Sequence, residues 1–184
     1  NNPPHAEDTN TEVDNRAVPV YNGPWLPAPL AGGPAGAIDT MSEIRILHTA
    51  DLHIGMENYG RLDPETGLNG RVMDFLRRLS EVVDYALENE IDVVLFAGDA
   101  YKNRDPNSTY RREFARRIKR LADHGVPVVL LVGNHDLPSQ DRRASSVEIF
   151  RTLEVPNILV AHRDRLHRLQ TRRGETLQVA TVPY

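Results

Sequence analysis

Predicted strands and helices alternate in the hydrophobic pattern that begins at residue 44. The apolar run at 44–50 predicts a first strand, and apolar residues at three-and-four spacing predict a helix over about 70–89. The continuous apolar runs at 93–98 and 127–132 are typical of parallel strands buried on both faces. A second amphipathic helix is expected between these two strands, at about 108–124.

The second helix carries recognisable end signals. Ser108 is predicted to cap its N-terminus, and Gly125 followed by Pro127 ends it. The later elements are predicted to be a short helix, a strand and a hairpin, at 145–153, 157–161, and 166–170 with 177–182 around a turn at 171–174. Strands that alternate with helices predict an α/β fold with a mainly parallel sheet, flanking helices and right-handed crossovers.

Residues 1–40 differ in composition from the rest of the chain. They hold seven of the thirteen prolines and a Gly-rich stretch at 32–36, without a sustained apolar period. Such a segment cannot bury enough apolar surface to offset its ordering entropy. We therefore expect residues 1–40 to be a disordered or extraneous leader, and residues 41–184 to form one domain.

The amino-acid composition limits the kinds of metal ligand and cross-link that the chain can form. The chain has no cysteine, which excludes disulfides and thiolate ligands, so any metal must be held by oxygen and nitrogen atoms. No apolar run approaches the roughly 20 residues of a membrane-spanning helix, and we expect a cytoplasmic protein. The net charge of -4 is unevenly distributed, because residues 1–40 hold five acidic residues against one arginine, whereas residues 104–184 are rich in arginine. That basic part could face phosphates, although solvated helix faces also explain such charge.

Polar residues follow the ends of all three predicted parallel strands. They are Asp51 and His53 after the first strand, Asp99 after the second, and Asn134, His135 and Asp136 after the third. Each motif alone is compatible with an ordinary turn, but independent turns have no reason to supply carboxylate, imidazole and amide groups at three successive strand ends. Because ligands bind outside the carboxyl ends of such strands, the sequence predicts one shared site for divalent cations. Asp99 is the candidate for a bridging carboxylate between two ions.

These motifs carry a resemblance to a known family. Asp51-x-His53, Gly98-Asp99 and Gly133-Asn134-His135-Asp136 resemble the calcineurin-like metallophosphoesterases. The amino-acid sequence of residues 46–55 and 97–99 is similar, more narrowly, to that of the SbcD-type exonuclease subunits. The resemblance covers about residues 44–184 and implies the β-sandwich α/β fold of the metallophosphoesterases, of which this chain would form the amino-terminal half.

The resemblance also implies a role for each residue of the motifs. It places Asp51 and His53 on one metal ion, Asp99 between two ions, Asn134 on the second ion, His135 at the departing oxygen, and Asp136 behind the ligands. Two divalent ions are implied, with manganese the expected metal; the oxygen and nitrogen ligands agree with manganese without dictating it.

The activity implied by the resemblance is metal-dependent exonuclease and endonuclease cleavage of DNA in double-strand-break repair and recombination. The implied substrates are duplex ends and hairpins, and the implied partner is an SbcC-type coiled-coil ATPase. We also expect a homodimer in the full-length protein and a nucleoid-associated location. The loops near the site offer candidate DNA contacts at Arg61, Lys102, Asn103 and Arg104, although solvated loop polarity explains these residues equally well.

Two departures from the family pattern leave alternatives open. Lys102 stands where some nucleases have a histidine, so it could steer phosphate but could not transfer a proton in the same way. The family also uses downstream histidines, one alone and a pair in Gly-His-x-His, and neither occurs before Tyr184. The other histidines are expected to be packed, as His48, or on the surface, as His162 and His167. The chain is thus expected to be truncated at its C-terminal side and, alone, weakly active or inactive.

The alternatives are a metallophosphoesterase that acts on a smaller phosphoester, such as a nucleotide or phosphoprotein, and a non-catalytic binding module. Salt-sensitive binding to duplex ends would favour the nuclease.

Overall fold

Four parallel strands form the centre of the fold in a computed structural model that describes residues 43–138 and 144–183. The leader predicted at 1–40 lies outside the described residues. The elements are β1 (Ile46–Thr49), α1 (Gly70–Glu88), β2 (Val93–Phe96), α2 (Ser108–Asp123), β3 (Val128–Leu131), α3 (Ile149–Thr152), β4 (Ile158–Ala161), β5 (Arg165–Gln170) and β6 (Thr176–Thr181). The parallel sheet has the order β1-β2-β3-β4, and β5 pairs with β6 in an antiparallel hairpin. The predicted α/β class with flanking helices is confirmed.

The two long helices begin at asparagine caps. The Asn69 side chain accepts a hydrogen bond from the Arg71 N–H at the start of α1. The Asn107 side chain accepts one from the Tyr110 N–H at 2.9 Å at the start of α2. The predicted cap at Ser108 was therefore wrong by one residue, because the amide oxygen of Asn107 reaches the free N–H groups first.

The helices bury their apolar faces against the sheet. Phe114 of α2 is fully buried, and its ring lies edge-on to Phe96 and Tyr101, with centroids 5.4 Å apart in both pairs. Val72 and Val83 of α1 are also fully buried. The three-and-four spacing of the sequence thus locates both helix faces, and their packing fixes the strand order and the loops that leave the strands.

β1 is an edge strand of the described sheet. Leu47 packs against the core, whereas Ile46 and His48 point to the other face and are exposed. The prediction that His48 would be packed was wrong, because the described helices cover only the opposite face at this position.

An ion pair between the buried Asp92 and the exposed Arg173 joins the hairpin to the amino-terminal edge of the sheet. Asp92 is 0% exposed, and its carboxylate accepts hydrogen bonds from the Arg173 guanidinium at 2.7 and 2.6 Å. The Arg45 N–H donates to the same carboxylate at 2.8 Å. This contact holds the β5–β6 turn beside the start of β2. No helix in the described ranges is long and apolar enough to span a membrane.

Candidate metal centre

The loops that leave β1 and β2 run side by side at the carboxyl edge of the sheet. The His53 N–H donates to the Asp99 carbonyl at 3.0 Å, and the Ile54 N–H donates to the Ala100 carbonyl at 3.0 Å. The parallel pairing of the two strands is thus continued by backbone hydrogen bonds past the strand ends. These bonds place His53 next to Asp99.

The loops that leave β2 and β3 meet at two glycines. A Cβ atom on Gly133 would lie 2.2 Å from Asp99 Oδ1, and a Cβ atom on Gly98 would lie 2.8 Å from the Gly133 Cα. Gly98 also has a φ of +93°, which disfavours any larger residue. Both positions therefore require glycine if the second and third strand ends are to approach this closely.

Three of the sequence-predicted site residues have left-handed backbone. The φ angles are 55° at Asp51, 48° at His53 and 57° at Asp99. Such conformations are uncommon for residues other than glycine and cost about 1–3 kcal/mol each unless the surroundings enforce them. Because such conformations often occur at binding and catalytic sites, their presence at this edge of the sheet makes it a candidate functional site.

Three of these side chains converge in space. Donor atoms of His53, Asp99 and His135 all lie within 4.8 Å of one another. His53 Nε2 is 3.6 Å from Asp99 Oδ2, and the rings of His53 and His135 are 5.0 Å apart in an edge-to-face arrangement. The Asn134 amide lies against the Asp99 carboxylate. In the amide orientation that forms a hydrogen bond, its nitrogen donates to Asp99 Oδ2 at 2.9 Å. Asp51 is exposed and is not part of this group of three.

The donor set fits a divalent cation. A separation of 3.6 Å between His53 Nε2 and Asp99 Oδ2 is too long for a strong hydrogen bond. Two ligands that each lie about 2 Å from one ion are separated by about 3–4 Å, so this distance suits a shared ion. If the Asn134 amide is rotated so that its oxygen faces Asp99, it adds a second oxygen donor. An imidazole and oxygen donors together suit manganese, iron or zinc.

His135 is fixed at both its backbone and its ring. Its N–H donates to Asp99 Oδ1 at 2.9 Å, and its Nδ1 lies 2.7 Å from the Lys102 carbonyl oxygen. A carbonyl oxygen can only accept, so Nδ1 carries the proton of this hydrogen bond. The Nε2 atom is consequently the ring nitrogen left free to bind an ion or to exchange a proton with a substrate.

Asp136 lies behind the cluster and connects its loops. The carboxylate is 0% exposed and accepts from the N–H groups of Asp99 at 2.8 Å, Gly133 at 3.1 Å and Ala100 at 3.2 Å. The Ser146 hydroxyl donates to it at 3.1 Å. Burial raises the pKa of Asp136 above its usual range, while the hydrogen bonds oppose that shift. Ser146 was missed by the sequence reasoning, since a lone serine ten residues downstream carries no motif signal.

The four candidate DNA contacts differ in position. Lys102 is half-buried and, with Asn103, lines a depression of about 370 Å³ that also includes Ile54. Arg61 and Arg104 are exposed. Only Lys102 is tied directly to the cluster, through its carbonyl contact with His135.

Comparison with known proteins gives consistent results. The sequence model of the calcineurin-like phosphoesterases matches residues 44–178. The DNA double-strand break repair protein Mre11 of Sulfurisphaera tokodaii is 30% identical over 100 residues, which cover 54% of this chain and 24% of that protein. Mre11 of Haloferax volcanii is 37% identical over 92 residues, 50% of this chain and 19% of the relative.

A bacterial relative matches more of the chain. The SbcD subunit of the nuclease SbcCD from Bacillus subtilis is 30% identical over 144 residues, which cover 77% of this chain and 34% of that protein. The aligned parts amount to about a fifth to a third of the length of these three relatives. The match of the family model along most of the chain agrees with the parallel sheet and the motifs at its strand ends. The chain therefore belongs to the calcineurin-like phosphoesterase family.

Proposed function

We propose that this chain contributes the phosphoesterase site of a DNA nuclease that hydrolyses phosphodiester bonds during double-strand-break repair and recombination. The observation that carries the proposal is the convergence of His53, Asp99 and His135 at the carboxyl edge of the sheet. The relatives named for break repair and as a nuclease subunit favour DNA over a smaller phosphoester.

The proposed cofactor is a pair of divalent ions, with manganese the expected metal. His53 and Asp51 would hold one ion, Asn134 the other, and Asp99 both; the exposed Asp51 would have to turn toward the cluster. Divalent ions at such a site supply Lewis acidity that activates water and neutralises charge on a phosphoryl group. His53 and Asp99 support this assignment through their 3.6 Å separation without a direct hydrogen bond.

The proposed role of His135 is to donate a proton to the departing oxygen. The hydrogen bond from Nδ1 to the Lys102 carbonyl holds the ring in one orientation, which leaves Nε2 to exchange the proton. The hydrogen bond from the His135 backbone N–H to Asp99 Oδ1 holds His135 next to that carboxylate. Asp136 would act through the backbone, by holding the loops that carry Asp99 and His135.

The wider context is proposed from the family resemblance of the sequence motifs. The full-length protein would act on duplex ends and hairpins as a homodimer, together with a coiled-coil ATPase subunit, in the cytoplasm near the nucleoid. Within the chain, residues 41–184 would form the phosphoesterase domain and residues 1–40 a leader outside it.

The first experiment asks whether the full-length product of the gene cleaves DNA. End-labelled blunt duplex DNA and bis(p-nitrophenyl) phosphate are incubated with the protein in manganese, magnesium or EDTA. Manganese-dependent shortening of the duplex supports the nuclease. Hydrolysis of the small diester without cleavage of DNA would instead favour the smaller phosphoester, and metal binding without either reaction would favour a non-catalytic module.

The second experiment separates the roles of two residues. Asp99→Ala is expected to abolish manganese binding in calorimetry, because it removes the proposed bridging ligand. His135→Ala is expected to retain most of the binding but to lower turnover by about 10²–10⁴-fold, the usual contribution of a proton donor. His124→Ala, at an exposed C-cap outside the cluster, serves as the control. Equal loss of metal from the two site variants would contradict this division of roles.

A further inference from the structure

A basic depression lies at the carboxyl end of β4. It has a volume of about 520 Å³, and its charged or titratable lining residues are Arg151, His162, Arg163, Arg165 and His167. No acidic side chain of the described residues lines it. The sequence alone predicts ordinary surface positions for the two histidines, whereas the structure gathers them with three arginines around one concave surface.

The positive charge at this surface differs from that of α2. The arginines of α2 form ion pairs on the protein surface: Arg111 with Asp105, Arg112, Arg116 and Arg117 with Glu113, and Arg120 with Asp84. Within the depression, Arg151 pairs with Glu148. In contrast, neither Arg163 nor Arg165 has an acidic group within 4.0 Å among the residues that the structure describes. Each arginine of α2 therefore has a carboxylate partner, although three of them share Glu113, whereas the charges of Arg163 and Arg165 are available to a ligand.

The strand that borders the basic depression is the neighbour of β3 in the sheet. β4 pairs with β3 in parallel, and the Val132 N–H donates to the Ala161 carbonyl at 3.0 Å beyond the last paired residues. Adjacent strands are about 4.8 Å apart, so the chain after Ala161 leaves the sheet one strand away from the loop that carries Asn134.

The backbone at Arg163 and Arg165 is hydrogen-bonded to a buried threonine. The Thr181 hydroxyl is 5% exposed and lies 3.2 Å from the carbonyl oxygens of both Arg163 and Arg165. The His167 Nε2 atom lies 3.2 Å from the same hydroxyl. The backbone that carries Arg163 and Arg165 is therefore held to β6.

We propose that Arg163 and Arg165, with His162 and Arg151 beside them, bind the sugar-phosphate backbone of DNA next to the phosphodiester that is cleaved. This inference rests on the proposed nuclease function and assigns it a substrate-binding surface. Guanidinium groups bind phosphate oxygens through two parallel N–H donors, which explains why arginine rather than lysine supplies the charge here. Contacts of this kind position the duplex without reading its sequence.

The test measures how binding to DNA depends on salt. The affinity of the full-length protein for a fluorescent blunt duplex is determined by anisotropy in EDTA at about 50–200 mM NaCl. Replacing both residues, as Arg163→Ala with Arg165→Ala, should reduce the slope of log K against log salt by about 2, since each phosphate contact contributes about 0.9. The matched control, Arg112→Ala with Arg116→Ala, removes the same net charge from α2 and should leave the slope almost unchanged.

Two further variants keep the test decisive if the alanine pair folds poorly. Arg163→Lys with Arg165→Lys should retain the wild-type salt slope. Arg163→Gln with Arg165→Gln should reduce the slope by about 2, as the alanine pair does. A wild-type slope in the glutamine pair, or an equal reduction in the α2 control, would overturn the proposal. If the wild-type protein cleaves DNA while these outcomes occur, only the binding surface fails. A wild-type protein without affinity for DNA would refute the proposed function as well.

Discussion

Asp136 offers a quantitative test of how the candidate metal centre is held together. Its carboxylate is fully buried and connects the backbone of the loops after β2 and β3. It lies behind the donor cluster and, in the described structure, contacts those loops through backbone N–H groups. If the site is positioned by this carboxylate, Asp136→Ala should impair both the fold and metal binding, whereas Asp136→Asn should impair them much less.

The magnitudes follow from the four hydrogen bonds. In Asp136→Ala the Ser146 hydroxyl can turn to another partner, but the N–H groups of Asp99, Ala100 and Gly133 lose theirs. Each unsatisfied buried donor costs about 1–3 kcal/mol. Relief of the desolvation that raises the pKa of Asp136 offsets part of this cost. We therefore expect a loss of about 3–5 kcal/mol in the free energy of unfolding.

The asparagine variant retains most of the network. Its amide oxygen can replace Oδ2, which accepts from Asp99 and Gly133, while its NH₂ group takes the position of Oδ1. The Ser146 hydroxyl can then accept from that NH₂ group, so only the Ala100 N–H, at 3.2 Å the longest contact, is left without a partner. We expect a loss of about 1–2 kcal/mol.

The assay combines urea unfolding, followed by circular dichroism, with calorimetric titration of manganese. Asp136→Ala should weaken manganese binding by about 10–100-fold, the usual effect of removing a group that orients ligands. Asp123→Ala, an exposed aspartate paired with Lys119, is the matched control and should change stability by less than about 0.5 kcal/mol. Equal losses in the alanine and asparagine variants of Asp136, or a loss in Asp136→Ala no larger than the control, would refute the reasoning.

Two further predictions concern backbone approach and acid stability. Gly98→Ala and Gly174→Ala both place a Cβ atom on a residue with φ near +92°, but of the two only Gly98 faces another backbone segment. Gly98→Ala should therefore lose about 1–3 kcal/mol more than Gly174→Ala in the free energy of unfolding measured in urea, and it should bind manganese less tightly. Similar losses in both would argue against the close approach of the loops. The Arg173 guanidinium lowers the pKa of Asp92 below its ordinary value of 3.8, so this ion pair stabilises the fold fully above 3.8 and less as the pH falls through the lowered pKa. Arg173→Ala should therefore lower the urea midpoint at pH 7 and lose less stability than the wild type between pH 5 and about 3; parallel pH profiles would contradict this.

The hydrophobic pattern was sufficient to predict the elements because each helix buries one face and the central strands bury both. The predicted 70–89 helix and the 93–98 strand correspond to α1 and β2 within a few residues. The errors fall where a local polar interaction decides the outcome. Asn107 competes with Ser108 for the same free N–H groups, and His48 is exposed because β1 lies at the edge of the sheet. Periodicity carries no information on either choice.

The candidate site was predictable only in its parts. Parallel strands bring their carboxyl ends to one edge, so the proximity of Asp99 and His135 follows from the fold. The contact of His135 Nδ1 with the Lys102 carbonyl could not be predicted, since it depends on loop conformation. The same holds for the basic depression, because the sequence reveals how many arginines are present but not which of them already have an acidic partner.

Left-handed backbone at Asp51, His53 and Asp99 connects these observations. Each conformation opposes folding by about 1–3 kcal/mol, a substantial share of the usual 5–15 kcal/mol of net stability. The hydrogen bonds between the first two loops and the Asp136 network supply the compensating interactions. His53 and Asp99 thus combine a strained backbone with side chains whose donor atoms converge, which is the arrangement expected if the proposed metal centre is functional.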